Sequence, residues 1–360
     1  MCWMGGVISM KQQKNDYHGF RFHGGPEGDK NLCDLIDFSV NTNTCGPSPE
    51  VVKAIRNADF EVYPDPTGLS LREEIARVEQ VNHDQVIIGN GAAELLWTLS
   101  RVIIQPTDTV LIVEPTFCEF RNACQVITHH VLGWYPEDNS GFKVDLEKLS
   151  VDIGLIKPKA VYLCNPNSPT GCYLDLYLII GLAESHPNVT FILDEAFLSL
   201  SDHWQQTAVG VPDNVIRVRS FTKEHAIAGL RLGYMILPNQ IRSAMEKTRP
   251  WWTINSLALA AGIAAIGQAQ WVIDSRKKML IDRDYMEYQL GQIGLTFLPS
   301  TTIFTMVKLG DTAKTCRSLL SSGFLIRDCE SYGLTGWVRL CARPQNDVDQ
   351  LIDSIKENVE

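Results

Sequence analysis

The amino-acid sequence predicts an α/β fold, in which a large domain built on a mostly parallel sheet is followed by a smaller α+β domain. Three observations predict it. Through the middle of the chain, short continuous runs of Val, Ile and Leu alternate with longer helical stretches, as in parallel sheets covered by helices on both faces. In the last third, a long helical region is followed by shorter strands with alternating polarity. A chain of 360 residues that is 45% hydrophobic can bury more than one core.

Each predicted element follows from its local pattern. The strands of the large domain are the runs QVIIGNG, TVLIVEP, AVYLCNPN, VTFILDEAF, NVIRVRSF and LGYMILP, each bounded by turn residues. Apolar residues at helical spacing predict a helical region from about Ser256 to Ile293, before the strands TTIFTMVKLG, GFLIRDC and GWVRLCA and a last helix. The predicted domains are an N-terminal arm over residues 1–45, a large domain over 46–255 and a small domain over 256–360.

The composition argues against several classes of partner. The chain has 32 basic and 42 acidic residues, a net charge of −10, and no basic run, so neither nucleic acid nor an anionic membrane is an expected partner. Its ten cysteines lack C-x-x-C spacing, which favours a reducing, cytoplasmic location over a disulfide framework or a zinc site. No export signal or membrane span is predicted, since the longest apolar run, LALAAGIAAIG, is far shorter than the roughly 20 residues that a span needs.

The predicted strands end in a series of distinctive groups. In open α/β sheets, ligands bind at the carboxyl ends of the strands. Those ends carry Gly89-Asn90-Gly91, Pro115-Thr116-Phe117, the segment Asn165–Gly171, Asp194 and Lys223. A single cofactor in contact with all of them would explain the series.

The segment GNGAAE is a candidate phosphate site. Its small residues precede a predicted helix, so the backbone N–H groups of Ala92 and Ala93 can bind an anion at the helix N-terminus. Such a turn more often serves tight packing only, and the segment alone is a weak signal. In SFTKEHAIAGLRLGY, the hydroxyls of Ser220 and Thr222 and the guanidinium of Arg231 can hold the same anion.

Asp194 and Lys223 are candidate catalytic residues. Asp194 lies within the apolar run FILDEAF, and an ionised carboxylate there requires a cationic partner. A protonated pyridine nitrogen would be one, and Lys223 at the next strand end can form a Schiff base. An ordinary Asp–Lys or Asp–Arg ion pair closing a strand end is the alternative, and it has about equal weight.

The order of these motifs resembles the fold type I enzymes of pyridoxal 5′-phosphate (PLP). The motifs are GNG-x-x-E, P-T-F, N-P-N-S-P-T-G, D-E-A-F and S-x-T-K with an arginine eight residues later. Within these enzymes the chain is most similar to histidinol-phosphate aminotransferase and to the threonine-phosphate decarboxylase of cobamide synthesis. The resemblance runs from His23 to Arg343 and implies an aspartate aminotransferase-like fold.

The resemblance also implies a role for each matching residue. Lys223 would hold PLP as a Schiff base and move protons, Asp194 would pair with the ring nitrogen, and Phe117 would stack on the ring, allowing a quinonoid to form. The phosphate-binding positions are Ala92, Ala93, Ser220, Thr222 and Arg231. Tyr63, in YPDPTG, would reach the phosphate of a neighbouring subunit, which implies a homodimer with shared sites. Arg339, in WVRLCAR, would pair with the α-carboxylate of an amino acid substrate.

The chain departs from its relatives at several cofactor positions. Where most of them carry an asparagine bonded to the ring hydroxyl, it has Ser168, preceded by Asn167; Phe197 stands where transaminating relatives often have tyrosine. These changes predict weaker support for the ring oxygen. Glu224 and His225 follow the lysine. Either they point away from the cofactor and form hydrogen bonds locally, or one of them acts as a general base or binds a positively charged substrate.

The arm matches the decarboxylase in part. His23 and Gly24 in the HGG segment, Asn41 in FSVNTN and Arg327 in FLIRD match positions that contact the distal group of the substrate. Glu27 and Asp29 lie nearby, and two carboxylates would favour a cationic tail over a phosphate unless they are only solvated loop charges.

Three functional hypotheses follow. The first is a PLP enzyme that carries out elimination, cyclisation or transamination of a basic, hydroxyarginine-like amino acid in specialised metabolism. The second is a threonine- or serine-phosphate decarboxylase or a histidinol-phosphate aminotransferase. The third is a ligand sensor that retains the fold without turnover. The sequence favours the first over the second only slightly, because of Glu27 and Asp29, which stand against Arg327 and the HGG segment. The presence of Lys223, Asp194 and Arg231 disfavours the third.

Overall fold

The computed structural model describes residues 35–137, 140–205 and 211–358. The β-strands in these ranges are β1 Ile36–Asp37, β2 Val86–Asn90, β3 Val110–Val113, β4 Val131–Trp134, β5 Ala160–Cys164, β6 Thr190–Asp194, β7 Val215–Ser220, β8 Leu232–Ile236, β9 Phe297–Leu298, β10 Phe304–Lys308, β11 Phe324–Leu325, β12 Arg327–Asp328 and β13 Trp337–Cys341. The α-helices are α1 Pro49–Arg56, α2 Leu69–Glu79, α3 Gly91–Ile103, α4 Glu119–Gln125, α5 Leu146–Ile156, α6 Leu176–Ser185, α7 Phe221–Glu224, α8 Asn239–Thr248, α9 Ser256–Ile266, α10 Ala269–Gln292, α11 Thr312–Ser321 and α12 Gln345–Asn358.

The main sheet has the strand order β2-β8-β7-β6-β5-β3-β4. β4, β3, β5, β6 and β7 run parallel, whereas β8 is antiparallel to both of its neighbours. The central strands are buried along their whole length, which explains why they appear in the sequence as continuous apolar runs. Separate apolar clusters, one around Leu99 and Tyr162 and one around Leu163 and Leu182, pack against the sheet. The parallel strands therefore direct their carboxyl ends to one common edge.

Several helices begin at a side chain that caps their first backbone N–H groups. These capping residues are Ser48, Asp145, Asp175, Asn255 and Asp311, each accepting a hydrogen bond from an N–H of the first turn. A cap of this kind typically contributes about 1 kcal/mol to helix stability.

The helical region predicted from Ser256 to Ile293 consists of two helices. α9 ends at Gly267, and α10 continues at 83° to it. α9 packs against α1 and α2, where Ala258 and Ala261 are fully buried, whereas α10 packs against α12. The chain therefore turns because each half packs against a different core. The domain boundaries at residues 45 and 255 stay predictions.

The C-terminal part of the chain forms a second sheet in the order β12-β13-β10-β9, with all neighbours antiparallel. Residues 36–38 pack against it. β1 and β11 form a separate two-stranded parallel sheet, and Phe38 is fully buried, with its backbone bonded to Leu325 and to Cys341 of β13. Residues 36–41 are thus placed between the second sheet and the edge of the main sheet.

A loop after β6 connects the two sheets. Ser201 forms a bridge with Thr302, and Asp202 accepts a hydrogen bond from Arg283 of α10 at 2.9 Å. The guanidinium of Arg276, also on α10, lies 3.8 Å from the ring centre of Trp204. Within the described residues, no single helix is long and apolar enough to cross a membrane. The bent pair α9 and α10 reaches the necessary length and apolarity only when the two helices are counted together.

Gly233 allows α3 to begin close against β8. A β-carbon at position 233 would lie 2.6 Å from the backbone nitrogen of Ala92 and 2.9 Å from the carbonyl oxygen of Arg219. Both are backbone atoms, so neither can move aside without shifting a strand or a helix.

Gly233→Ala is expected to lower the free energy of unfolding by about 1–3 kcal/mol, the usual range for overpacking. Denaturant unfolding of the variant measures this. Gly229→Ala is the matched control, because a β-carbon at Gly229 has no neighbour within 4 Å. Equal losses in the two variants would contradict the steric argument.

Candidate active site

A cavity of about 470 Å³ lies at the carboxyl ends of the parallel strands, where residues 39–41 and β13 meet the main sheet. Most of the predicted site residues line it: Asn41, Ala92, Ala93, Phe117, Ser168, Asp194, Ser220, Thr222, Lys223, Arg231 and Arg339. Asn167, Tyr63 and Arg327 do not line it, and His23, Gly24 and Glu27 lie outside the described residues.

One end of the cavity forms a cup of anion-binding groups. α3 begins at Gly91, so the N–H groups of Ala92 and Ala93 lie in its first turn. The Arg231 guanidinium lies against this turn, since a β-carbon on Gly91 would be 2.6 Å from its Nη2. The hydroxyls of Ser220 and Thr222 are 2.6 Å apart on the same rim. The cup suits a phosphate group.

Asp194 lies at the base of the cavity and is almost completely buried. Its Oδ2 accepts a hydrogen bond from the Tyr162 hydroxyl at 2.6 Å, and its Oδ1 accepts one from the Ala196 N–H at 3.0 Å. Burial raises the pKa of the Asp194 carboxyl above its ordinary value, although these two bonds and Lys223 act in the opposite direction. A cation placed beside this carboxylate would therefore be stabilised.

Lys223 faces the same cavity. Burial, together with the charges of Arg339 and Arg231, lowers the pKa of its amine to about 8. Its Nζ lies 5.8 Å from the ring centre of Phe197. Asn43 fixes the turn that carries the lysine, donating its backbone N–H to the Lys223 carbonyl and its side-chain amide to the Glu224 carbonyl, both at 2.9 Å. The sequence had given no signal for Asn43 beyond its position two residues after Asn41.

Ser168 and Asn167 point in different directions, so only Ser168 lines the cavity in which both were expected. Asn167 donates its amide to the Pro115 carbonyl at 2.8 Å and to Thr170 at 2.9 Å, so it closes its own loop and lines a separate cavity of about 310 Å³. Ser168 faces the main cavity, and its hydroxyl accepts a hydrogen bond from Arg339 Nη1 at 2.9 Å. The proton of that hydroxyl remains available for a ligand.

Glu224 and His225 do not line the cavity. The Glu224 carboxylate lies 3.4 Å from His225 Nε2, and His225 is buried beside the Phe221 ring. Burial raises the pKa of Glu224, but its contacts with His225 and Ser199 outweigh burial and lower the pKa overall. This geometry favours the local, structural interpretation of the pair.

Two arginines lie next to each other on the second sheet. Arg327 of β12 and Arg339 of β13 are directly paired across the strands, and both are buried. Arg327 donates to the Ser331 hydroxyl at 2.6 Å and lies 5.6 Å from the ring centre of Tyr332, a residue that lines the cavity. Within the described residues, the Nε atoms of both arginines lack a hydrogen-bond partner.

Asn41 lies in the same region. Its side chain is 2% exposed and lines the cavity, and neither of its amide atoms has a hydrogen-bond partner in the described part of the chain. A buried amide without a partner costs about 1–3 kcal/mol. A ligand that accepts from the amide nitrogen would remove part of this cost.

Glu119 is a cavity residue that the sequence analysis missed. It is the first residue of α4, and its carboxylate accepts a hydrogen bond of 2.6 Å from the Trp97 indole N–H. Its place two residues after Phe117 was the available signal.

A charge network is buried behind the cavity. Glu195 accepts hydrogen bonds from Arg217 and Arg219, both at 2.8 Å, while Glu79 contacts Arg217 at 3.3 Å and accepts from the Tyr234 hydroxyl at 2.6 Å. Because the network joins the end of β6 to β7, β8 and α2, it holds the strand ends that carry Asp194 and Lys223.

Comparison with known proteins agrees with this geometry. Residues 33–355 match the model of the aminotransferase class I and II family. The chain belongs to this family. It is therefore a PLP-dependent enzyme of the aminotransferase type, and the predicted aspartate aminotransferase-like fold and PLP cofactor are confirmed.

Individual relatives give more detail. Histidinol-phosphate aminotransferase of Moorella thermoacetica is 30% identical over 90% of this chain and 85% of its own length. The structure of histidinol-phosphate aminotransferase from Sinorhizobium meliloti in complex with PLP has a TM-score of 0.79 at 25% identity, covering 90% of each chain. The structure of L-threonine-O-3-phosphate decarboxylase from Porphyromonas gingivalis has a TM-score of 0.78 at 25% identity, covering 90% of this chain and 99% of that one.

The cavity of this aminotransferase family member fits PLP. The cup at the start of α3 suits its phosphate, the buried Asp194 carboxylate suits a protonated ring nitrogen, and the amine of Lys223 suits its aldehyde. When bound, PLP supplies an electron sink for bond breaking at the substrate Cα. Phe117, which lines the cavity, would cover the ring, and Lys223 would move the Cα proton.

The pKa of Lys223 gives a test of its role. Below about pH 8 the amine is charged, and only the neutral amine attacks an aldehyde, so the rate at which apoprotein gains visible PLP absorbance should rise with pH through about 8. Arg339→Gln removes a charge that lowers this pKa and should move the midpoint to higher pH. Stopped-flow absorbance measures both rates.

Lys223→Ala is the control, and it should give no lysine-bound absorbance at any pH. If the pH midpoint of this rate is the same in Arg339→Gln as in the wild type, the electrostatic argument is wrong. If Lys223→Ala with PLP shows the lysine-bound absorbance, Lys223 is not the residue that binds the aldehyde.

Proposed function

We propose that this PLP enzyme acts on a small amino compound with an anionic tail, in particular a phosphate ester. The observation that carries the proposal is the buried pair Arg327 and Arg339, with Asn41 beside the same cavity. This is the second of the hypotheses drawn from the sequence, and it now takes precedence over the hydroxyarginine-like substrate.

The arginine pair requires a negative partner. Arg327 and Arg339 are opposite each other across β12 and β13, so their side chains project from the same face of the sheet, and none of the ion pairs within the described residues includes either arginine. Buried cations are stable only when they are paired. A phosphate dianion can accept charge-assisted hydrogen bonds from both of them. The partnerless amide of Asn41 is a further donor at this end of the cavity.

The relatives support the same chemistry. The names histidinol-phosphate aminotransferase and L-threonine-O-3-phosphate decarboxylase both describe enzymes of phosphorylated amino compounds. In this chain, Arg339 and Asn41 would bind and orient the substrate, Lys223 would move its proton, and Asp194 would hold the ring nitrogen protonated. The catalytic turnover expected of this family leaves the ligand-sensor hypothesis without support.

A second candidate substrate has a cationic tail, as the sequence first suggested. Glu27 and Asp29, on which that hypothesis rested, lie outside the described residues. Glu119 is the observation that now favours it, because its carboxylate lines the cavity in addition to that of Asp194. One carboxylate bonded to Trp97 attracts a cation less strongly than two guanidiniums attract a dianion.

Variants at Arg327 and Glu119 separate the two candidates. For phosphorylated amino acids and amino alcohols, Arg327→Gln should lower kcat/KM by about 10- to 150-fold, as expected for one lost charge-assisted hydrogen bond. Glu119→Gln should leave it unchanged. The holoenzyme is mixed with phosphorylated, basic and plain amino compounds while its visible spectrum is followed, and CO₂ release is compared with consumption of 2-oxoglutarate.

The outcome that would reverse the order of the candidates is a specific response to basic amino acids that Glu119→Gln abolishes and Arg327→Gln leaves intact. The split between CO₂ release and 2-oxoglutarate consumption decides between decarboxylation and transamination.

We also propose that the chain forms a homodimer with shared active sites. Tyr63, Trp251 and Trp252 form an aromatic patch, with exposed fractions between 48% and 80%. The Tyr63 and Trp252 rings are 4.8 Å apart, and the Trp252 indole donates to the Pro64 carbonyl at 3.2 Å. Such a patch is typical of a protein interface. Tyr63 would then reach the phosphate cup of the second subunit. A cytoplasmic location stays a prediction.

Trp251→Glu should convert the dimer into monomers and weaken PLP binding, because it places a charge inside the aromatic patch. Sedimentation velocity measures the first effect, and fluorescence titration measures the second. Tyr177→Glu is the matched control, since Tyr177 is 78% exposed on α6, outside the patch. If Trp251→Glu sediments as the wild type does, the aromatic patch is not the dimer interface.

A further inference from the structure

Tyr162 is a buried polar residue for which the motifs gave no role. It lies in the middle of β5 and is fully buried. Its ring stacks on Phe120 of α4 with the ring centres 5.4 Å apart and an angle of 20° between the planes. Its hydroxyl donates to Asp194 Oδ2 at 2.6 Å, a short, charge-assisted bond.

This bond fixes the direction of the Asp194 carboxylate. Within the described residues, the two carboxylate oxygens have one hydrogen-bond donor each, the Tyr162 hydroxyl on Oδ2 and the Ala196 N–H on Oδ1. The carboxyl plane therefore cannot rotate without breaking one of the two bonds. Tyr162 itself is held by the stacking on Phe120 and by its place in the fully buried strand β5.

The same bond affects the charge of Asp194. A phenol donor stabilises the carboxylate and not the carboxylic acid, so Tyr162 lowers the pKa of Asp194 against the effect of burial. Burial and the neighbouring carboxylate raise the pKa of the Tyr162 phenol well above its ordinary value, so it keeps its proton and remains a donor. Asp194 also faces Cys164 of β5, Glu195 of its own segment and Lys223 after β7.

We propose that Tyr162 is a positioning residue, which keeps the Asp194 carboxylate ionised and aimed at the ring nitrogen of bound PLP. The inference rests on the proposed role of Asp194 in the cavity. While Tyr162 donates to Oδ2, the carboxylate is a weaker base, and the proton shared between Asp194 and the ring nitrogen stays on the nitrogen. The ring then keeps its positive charge.

Tyr162→Phe tests this by removing only the donor. Without it the Asp194 carboxylate becomes a stronger base and takes more of the ring proton, so the ring attracts electrons less strongly. The visible absorbance of the holoenzyme changes with pH as the nitrogen that links Lys223 to PLP loses its proton. Because a ring with less positive charge makes that nitrogen more basic, the midpoint of this change should rise by about one pH unit. The apoprotein should bind PLP about tenfold more weakly, which corresponds to one pKa unit.

Tyr234→Phe is the matched control. Tyr234 is also a buried tyrosine of the main sheet, and it donates to the Glu79 carboxylate at the same distance of 2.6 Å. Removing the Tyr234 hydroxyl should lower the thermal stability of the apoprotein, as is also expected for Tyr162→Phe. The absorbance midpoint and the affinity for PLP should not change. A Tyr162→Phe midpoint no further from wild type than that of Tyr234→Phe would overturn the proposal.

A carbocyclic analogue of PLP, in which C–H replaces the ring nitrogen, separates positioning from packing. The analogue has no ring proton, so Tyr162→Phe should bind it as tightly as the wild-type protein does, while PLP binding falls tenfold. Equal losses for PLP and the analogue would mean that Tyr162 only supports the shape of the cavity, and this result would also overturn the proposal.

A second variant covers the case in which Tyr162→Phe does not fold. Placing 3-fluorotyrosine at position 162 keeps the shape of the ring and makes the hydroxyl a stronger donor, so the absorbance midpoint should fall. An unchanged or raised midpoint refutes the proposal.

These results are distinct from a failure of the proposed function. Loss of the wild-type absorbance itself would remove the assigned PLP site, whereas an unchanged midpoint in a coloured enzyme removes only the role of Tyr162.

Discussion

The buried carboxylate of Asp194 is the constraint on which the rest of the site depends. A carboxylate at 3% exposure is stable only with donors and a cation beside it, and the protein provides two donors but no direct ion pair among the described residues. Lys223 faces the same carboxylate, with a pKa lowered to about 8, so it serves poorly as a permanent counter-ion. A protonated ring nitrogen completes the arrangement, which is why PLP fits this cavity.

The surrounding structure holds this carboxylate in place from two directions. On one side, Tyr162 and Phe120 connect it to β5 and α4. On the other side, the adjacent Glu195 joins Arg217 and Arg219, so the end of β6 cannot shift without breaking buried ion pairs. Removing one partner of a buried pair typically costs 3–5 kcal/mol. The charges behind the cavity thus give rigidity to the groups inside it.

The substrate end of the cavity is linked to the cofactor end through Arg339. The same guanidinium donates to the Ser168 hydroxyl and to the Ser39 carbonyl and lowers the pKa of Lys223. A substrate anion that binds Arg339 would reduce its effect on the lysine and raise the basicity of the amine. The resemblance predicts that Ser168 and Phe197 would give the ring oxygen of PLP fewer donors than most relatives provide, and the charge of Arg339 would then matter more for the basicity of Lys223.

The sequence by itself determined the family, the alternation of strands and helices and the order of groups along the strand ends. Apolar runs, glycine turns and a lysine–arginine spacing are local features, and parallel strands must bring their carboxyl ends to one edge. Only the tertiary structure decided that Ser168 rather than Asn167 faces the cavity, that Glu119 lines it, that Tyr162 donates to Asp194, and that Arg327 lies opposite Arg339. It also showed that the predicted helical region consists of two helices that meet near Gly267, because the two helices pack against different cores. These outcomes depend on side-chain direction and on contacts between distant segments, which a linear pattern does not contain.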